Sequence, residues 1–198
     1  MSEDVKTGNG GQESDRRSDS ILIRACEADD IPAIQAIYAE AVLTGTASFE
    51  IEPPSVAEMH ARREALIGGG FPYLVACEPD ALPGAPGTLL GYAYAGPYRP
   101  RRAYRFTVEN SVYVAPSAQG RGVSSRLLEH LIKASEAMGA RQMIAVIGDS
   151  ANRASISLHR RCGFEHTGVF RSIGFKHGRW LDTVLMQRTL GSGDASPP

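Results

Sequence analysis

Apolar positions along this chain follow two rhythms, one of three to four residues and one of two. Ile31, Ile34, Ile37, Tyr38, Ala41 and Val42 recur at helical spacing and predict a helix with one apolar face, capped by Asp29 or Asp30. Ser55-Val-Ala-Glu58 has the form of a capping box and opens a second helix that stops at the glycines 68–70. Leu127, Leu128, Leu131 and Ile132 mark the buried face of a long helix over 122–138, ended by Gly139, and a short helix follows over 153–162. Strand patterns cover 21–25, 73–77, 89–95, 104–114, 142–147, 164–170 and 181–189. A Pro/Gly-rich turn over 79–87 joins the second strand to the third. Helices and strands in this order predict an α/β fold, a mixed sheet flanked by helices.

The ends break the pattern. Residues 1–20 hold two apolar side chains, Met1 and Val5, too few to offset the entropy of ordering, so a disordered leader is expected. Residues 191–198 read as a flexible tail, leaving one domain over 21–190. A chain of 198 residues can bury a core without disulfide or metal staples. Its 21 Lys+Arg balance 22 Asp+Glu, so no global basic field attracts nucleic acid or anionic lipid. Cys26, Cys77 and Cys162 are too scattered for a disulfide framework or a zinc site. There is no apolar run near the roughly 20 residues that span a bilayer, and no secretory apolar region, so no membrane partner and a cytoplasmic location are expected.

The chemistry concentrates between Ser111 and Leu131. The β-branched strand Val112-Tyr-Val114 runs through Ala115 to Pro116, then into the loop Gln119-Gly-Arg-Gly-Val-Ser124 and the long helix. A strand feeding a small-residue loop at a helix N-terminus aims successive backbone N–H groups at one point, where the helix dipole favours an anion. Gly120 and Gly122 lack the Cβ atoms that block close approach, while Arg121 and Arg126 add positive charge. Physically this is a pyrophosphate cradle. It lacks the Lys-Ser/Thr ending of a P-loop and the G-x-G-x-x-G spacing of dinucleotide folds.

Gln119-x-x-Gly122-x-Ser124 after a strand ending in Val-x-Pro resembles the acyl-CoA-binding motif of the GNAT superfamily of N-acetyltransferases, Arg/Gln-x-x-Gly-x-Gly/Ala. Ser124 departs from it but keeps the backbone donor. Asn152-Arg-Ala-Ser155 and Arg161-Cys-Gly-Phe164 resemble the family's second CoA-contacting segment and its Gly-Phe turn. Gly91-Tyr-Ala-Tyr-Ala-Gly-Pro97, Tyr104-Arg-Phe-Thr-Val-Glu109, Ala145-Val-Ile-Gly148, Ser157-Leu-His159 and Phe175-Lys-His-Gly-Arg-Trp-Leu-Asp182 are similar to the phosphinothricin, methionine sulfoximine and methionine sulfone acetyltransferase branch. The resemblance covers roughly residues 21–190. It implies a twisted, mostly antiparallel sheet of about six to seven strands with helices on both faces, a homodimer, and transfer from acetyl-CoA to a small amino-acid-like substrate without a metal. It also places Val112, Val114, Ala115, Pro116, Gln119, Gly120, Arg121, Gly122, Val123, Ser124, Ser125, Arg126, Leu127, Asn152 and Ser155 against the cofactor.

Acetyl transfer from a thioester needs a neutral amine, a stabilised oxyanion and a proton for the departing thiolate. Glu109, on the strand before the cofactor loop, is the candidate base, and a backbone N–H near Val114 the candidate oxyanion donor. His159 stands where many GNAT enzymes carry a Tyr thought to protonate the thiolate. It could act as that acid, bond the substrate, or serve structure alone. Cys162 lacks an orienting partner and reads as a small buried hydrophobe. On a strand over 104–114, Arg105 shares a face with Thr107 and Glu109 and is the candidate partner of a substrate carboxylate, with Tyr104 and Phe106 beside it. Positions four apart lie about 13 Å apart in an extended strand, so long side chains must converge. Lys176 and Trp180, in a segment 171–182 read as a loop between strands, could face an oxyanionic side chain, from this subunit or from a dimer partner. The alternative is that Phe175 and Trp180 finish this subunit's own core.

Two other functions compete. Tyr98-Arg-Pro-Arg-Arg-Ala-Tyr-Arg-Phe106 interleaves cations with aromatics as single-strand nucleic-acid binders do. Salt-dependent retention on heparin discriminates that reading from an acetyltransferase that binds no nucleic acid. The same fold could also acetylate another amine, such as a protein N-terminus.

Overall fold

A computed structural model describes residues 21–78 and 88–197, so the expected leader over 1–20 and the turn over 79–87 lie outside the described residues. Seven strands form one sheet: β1 (Leu22–Ala25), β2 (Tyr73–Cys77), β3 (Leu89–Pro97), β4 (Thr107–Val114), β5 (Gln142–Gly148), β6 (Glu165–Lys176) and β7 (Arg179–Thr189). Their order is β1-β2-β3-β4-β5-β7-β6, antiparallel everywhere except between β4 and β5. Among the described residues no helix is long and apolar enough to cross a membrane.

Helices cover both faces because the strands alternate. On one face α1 (Ile31–Thr44) and α2 (Val56–Gly68) enclose Ile31, Ile34, Val42 and Met59 with Tyr73 and Tyr92. On the other, α3 (Val123–Ala137) and α4 (Arg153–Arg161) bury Leu127, Leu128, Leu131 and Leu158 against Ala93, Ala95, Val108 and Met143. Ser55 caps α2 as expected, its hydroxyl accepting from the Glu58 N–H at 3.1 Å. Asp30 does not cap α1 with its side chain. Its carboxylate takes a bidentate pair from Arg24, at 2.7 Å each, and accepts the Glu27 N–H at 2.8 Å.

Two predicted boundaries move. The strand read over 104–114 begins at Thr107; Arg102–Tyr104 form a 3-10 turn, and Arg105 follows it outside the sheet. The segment 171–182, read as a loop, is instead the tip of the β6–β7 hairpin, closed by His177 and Gly178. Both have positive φ, 50° and 72°, as a type I′ turn requires. Residues after β7 turn back on the body, where Arg141 donates to the Gly193 carbonyl at 3.1 Å.

Candidate active site

The parallel ladder between β4 and β5 ends at the pair Asn110–Ala145, although both strands continue. The β3–β4 register and the Tyr98-to-Thr107 bond assign the odd-numbered β4 residues to β3, as does the Ala115-to-Leu90 bond. By alternation, the N–H and C=O groups of Val112 and Val114 point into the gap that β5 has left. The backbone donors sought near Val114 therefore face the split.

One cavity of about 260 Å³ occupies the split, walled by Glu109, Ser111, Tyr113, Val146, Phe49 and His159, among others. A larger groove of about 1100 Å³ runs from it to the N-terminus of α3, lined there by Gln119, Gly120, Gly122, Val123, Ser124 and Ser125. The two spaces share Ala47, Val112, Tyr113, Asn152, Ser155 and His159 as walls. Gly122 stands at the N-cap of α3 with φ 80°, a left-handed conformation that most side chains resist. It has no side chain to cap the helix, so the first N–H groups of α3 open toward the groove. An uncapped 15-residue helix pointing into a groove of this size fits a pyrophosphate, and Val123, Ser124 and Ser125 would hold it through their backbone.

The Acetyltransferase (GNAT) family matches residues 34–164. The chain belongs to that family. It is 56% identical over 176 residues to a phosphinothricin N-acetyltransferase of Alcaligenes faecalis, covering 89% of this chain and 86% of that one. It is 42% identical to an L-methionine sulfoximine/L-methionine sulfone acetyltransferase of Pseudomonas paraeruginosa, covering 90% and 99%. The crystal structure of a phosphinothricin acetyltransferase from Sinorhizobium meliloti in complex with AcCoA superimposes with a TM-score of 0.85 at 47% identity, covering 90% of this chain and 93% of that one. The sheet and helices described above are thus the GNAT fold, and acetyl-CoA is the co-substrate of this acetyltransferase.

Within that GNAT frame the candidate residues separate. Glu109 lines the split, half-buried, and burial raises its carboxyl above the ordinary 4.5. His159 is buried on α4; burial lowers its pKa below 6.5, opposed by a bond to the Ser155 carbonyl. Asn152 caps α4, its side-chain oxygen accepting the Ser155 N–H at 3.1 Å, and both residues line the groove. Val114 and Pro116 line the groove too, while Ala115, partly buried, packs against the core in which Leu127 is wholly buried. Arg121 turns its guanidinium to Glu78 in an ion pair, so only its backbone belongs to the loop that meets the groove.

The substrate candidates hold their places less well. Because Arg105 precedes β4, strand alternation no longer aligns it with Glu109; its guanidinium stacks on the Phe106 ring, 4.3 Å from the centroid. Tyr104 packs edge-on against Tyr98, and Thr107 is the first residue of β4. Lys176 is buried and donates to the Ser48 carbonyl at 2.8 Å, behind the cavity wall. Burial lowers its pKa below 10.5, with Glu50 opposing. Trp180 is 63% exposed and packs edge-on against Phe175, which is 57% exposed. Neither finishes this subunit's core.

Three contributors escaped the sequence. Ser48 and Phe49 sit in an irregular segment with no pattern to flag them, yet they wall the cavity. That segment is clamped from distant elements by Lys176 on Ser48, by His177 on the Gly45 carbonyl at 3.1 Å, and by Tyr38 on the Ser48 hydroxyl at 2.8 Å. Close approach completes the clamp: a Cβ on Gly148 would overlap the Thr46 carbonyl oxygen, and one on Gly174 would enter the Phe49 ring. Asn110, the third, did leave a signal, being a polar residue on the apolar face of β4 shared by Val108 and Val112.

Proposed function

We propose that this enzyme acetylates the α-amine of a small amino-acid analogue carrying a tetrahedral phosphorus or sulfur group, as the names of its relatives suggest. The observation that carries the reading is the small cavity at the split, which has a half-buried carboxylate on one wall and shares His159 with the cofactor groove. An ammonium entering there meets Glu109, which takes its proton; the freed amine attacks the thioester carbon. The Val112 and Val114 N–H groups stand toward the developing oxyanion, and His159 supplies the proton for the leaving sulfur. Arg105, with Arg99, Arg101 and Arg102 on the same exposed loop, is the source of a cation for the α-carboxylate.

Release of free thiol from acetyl-CoA tests this against a panel of phosphinothricin, methionine sulfoximine, methionine sulfone, their decarboxylated analogues and a short peptide. The first three should turn over and the others should not. Preference for the peptide would move the acceptor to protein N-termini, and equal use of decarboxylated analogues would remove the arginine loop from the site.

The exposed apolar stripe on the β6–β7 hairpin, Phe170, Ile173, Phe175 and Trp180, favours a homodimer over a lone subunit. We place the dimer contact there; a monomer of 21.2 kDa by light scattering at low micromolar concentration would overturn it. Three buried free thiols fit a reducing, cytoplasmic setting.

A further inference from the structure

Asn110 is buried where β4 and β5 part. Its Nδ2 donates to the Ile144 carbonyl at 3.1 Å, and its Oδ1 lies 3.0 Å from His159 Nε2. The first bond dictates the second, because turning the amide over would set two acceptors, Oδ1 and the Ile144 oxygen, against each other. Across the ring, His159 Nδ1 lies 2.8 Å from the Ser155 carbonyl oxygen. The Ser155 hydroxyl also stands 3.4 Å from Nδ1 and can donate or accept, but each ring nitrogen faces one oxygen that only accepts. A neutral imidazole has one N–H and satisfies one of them; an imidazolium satisfies both. The ring is also held edge-on against Phe164, 5.0 Å between centroids, so it has little freedom to turn away.

We propose that Asn110 is a positioning residue for His159, aiming its ring at the split and favouring a proton on Nε2. The proposal rests on the reading of His159 as the acid for the leaving sulfur. When the C–S bond breaks, its electron pair stays on sulfur and takes that proton. The acceptor ammonium releases two protons in becoming an amide: one goes to the Glu109 carboxylate and the other restores the imidazolium.

The surroundings leave this task to neutral oxygens. β5 carries no ionisable side chain over Gln142–Gly148. On β4 the nearest carboxylate, Glu109, alternates to the opposite face. On α4 itself Arg153, Arg160 and Arg161 are exposed, and Cys162 below is buried with its thiol pushed up, hence neutral. Burial works against the imidazolium, and the Asn110 and Ser155 oxygens work for it.

Nitrogen–proton correlation NMR across a pH series reads the His159 ring directly, with His159→Gln used only to assign its signal. Asn110→Leu, similar in size but without an acceptor, should lower the His159 midpoint by about half a unit or more; Asn110→Asp should raise it by about one unit. The basic limb of the kcat profile should move in the same directions, while the KM for acetyl-CoA stays within about twofold. A midpoint unmoved by both variants overturns the proposal. So does a variant that loses kcat and raises both KM values with no change in ring titration, the signature of a packing role alone. If Asn110→Leu fails to fold, Asn110→Asp and Asn110→Ser carry the test. Failure of the wild type to acetylate any amino acid in the panel would fault the proposed substrate instead, since ring titration needs no turnover.

Discussion

The two walls of the candidate active site, one proposed for the cofactor and one for the acceptor, are assembled in opposite ways. The cofactor wall is nearly continuous in sequence: the end of β4, the loop through Gln119 and Gly122, and the first turn of α3, with Asn152 and Ser155 added from α4. The acceptor wall gathers Ser48 and Phe49 from between two helices, Glu109 and Tyr113 from β4, and Val146 from β5, with Lys176 locking it from behind. A pyrophosphate asks for backbone N–H groups at a helix end, which a local stretch can supply. A small polar substrate asks for side chains converging from several directions, which only tertiary structure supplies. The cofactor wall should therefore fail abruptly, through single backbone positions, and the acceptor wall by degrees.

The abrupt case gives the largest expected effect. Gly122→Asp imposes a Cβ on a φ of 80° and sets a carboxylate at the helix end where the pyrophosphate would lie. The left-handed penalty of about 1–2 kcal/mol and the charge repulsion together should weaken acetyl-CoA binding at least about 100-fold. Calorimetry checks it, and an unchanged Kd would remove the α3 N-terminus from the cofactor site. Gly168→Asp, at a position where a Cβ meets open space and φ is not left-handed, is the folded control.

Glu109→Gln comes next and probes the junction of the walls. The amide keeps the size but removes the proposed base, so kcat should fall by about 10²-fold or more with acetyl-CoA affinity unchanged. In the wild type the carboxylate is the working form and burial raises its pKa above 4.5. Activity should thus be lost as pH falls through that raised value. The variant lacks this limb, and its residual rate should climb as free amine becomes available, moving the optimum upward. Normal turnover across the pH range would transfer the base role to a water or another residue.

Lys176→Met tests the degraded case. It removes the bond to the Ser48 carbonyl but also a buried charge, and these effects oppose each other. The folded protein should persist with a Tm within a few degrees of wild type. The loosened 45–49 segment should raise the amino-acid KM by about three- to tenfold and leave that of acetyl-CoA alone. A parallel rise in both constants would mean that the two walls share support.

The same contrast explains what could be read from the sequence. The strands, helices and glycine loop announce themselves because each rests on residues close in sequence: the period of Leu127, Leu128 and Leu131, the cap at Ser55, the glycines at 120 and 122. Glu109 and His159 were found through motif resemblance, and the structure places them on the walls of the split. The clamp on Ser48 was hidden because Lys176 lies 128 residues away and a buried lysine looks like any other in sequence. Reading 171–182 as a loop failed for a local reason. Its cations and glycines resemble turn composition, but only His177 and Gly178 make the turn, and the flanking residues are edge-strand and hairpin positions.

The smallest effect is expected at Arg121, where the sequence suggested a large one. An arginine between the two glycines of a phosphate loop looks like a direct ligand of the cofactor. Its guanidinium instead reaches Glu78 at the end of β2, pairing there with both side chains partly exposed. Such a pair contributes about 0–1 kcal/mol, and the side chain, held by Glu78, does not line the groove. Arg121→Ala should therefore change acetyl-CoA affinity by less than about threefold and leave kcat unaltered. The salt dependence of binding should be nearly that of the wild type, because a charge already neutralised by Glu78 adds little to the field at the groove. A tenfold loss with a flatter salt dependence would show Arg121 leaving Glu78 when the cofactor arrives, and the cofactor wall would then depend on a side chain recruited from outside the groove, as the acceptor wall already does.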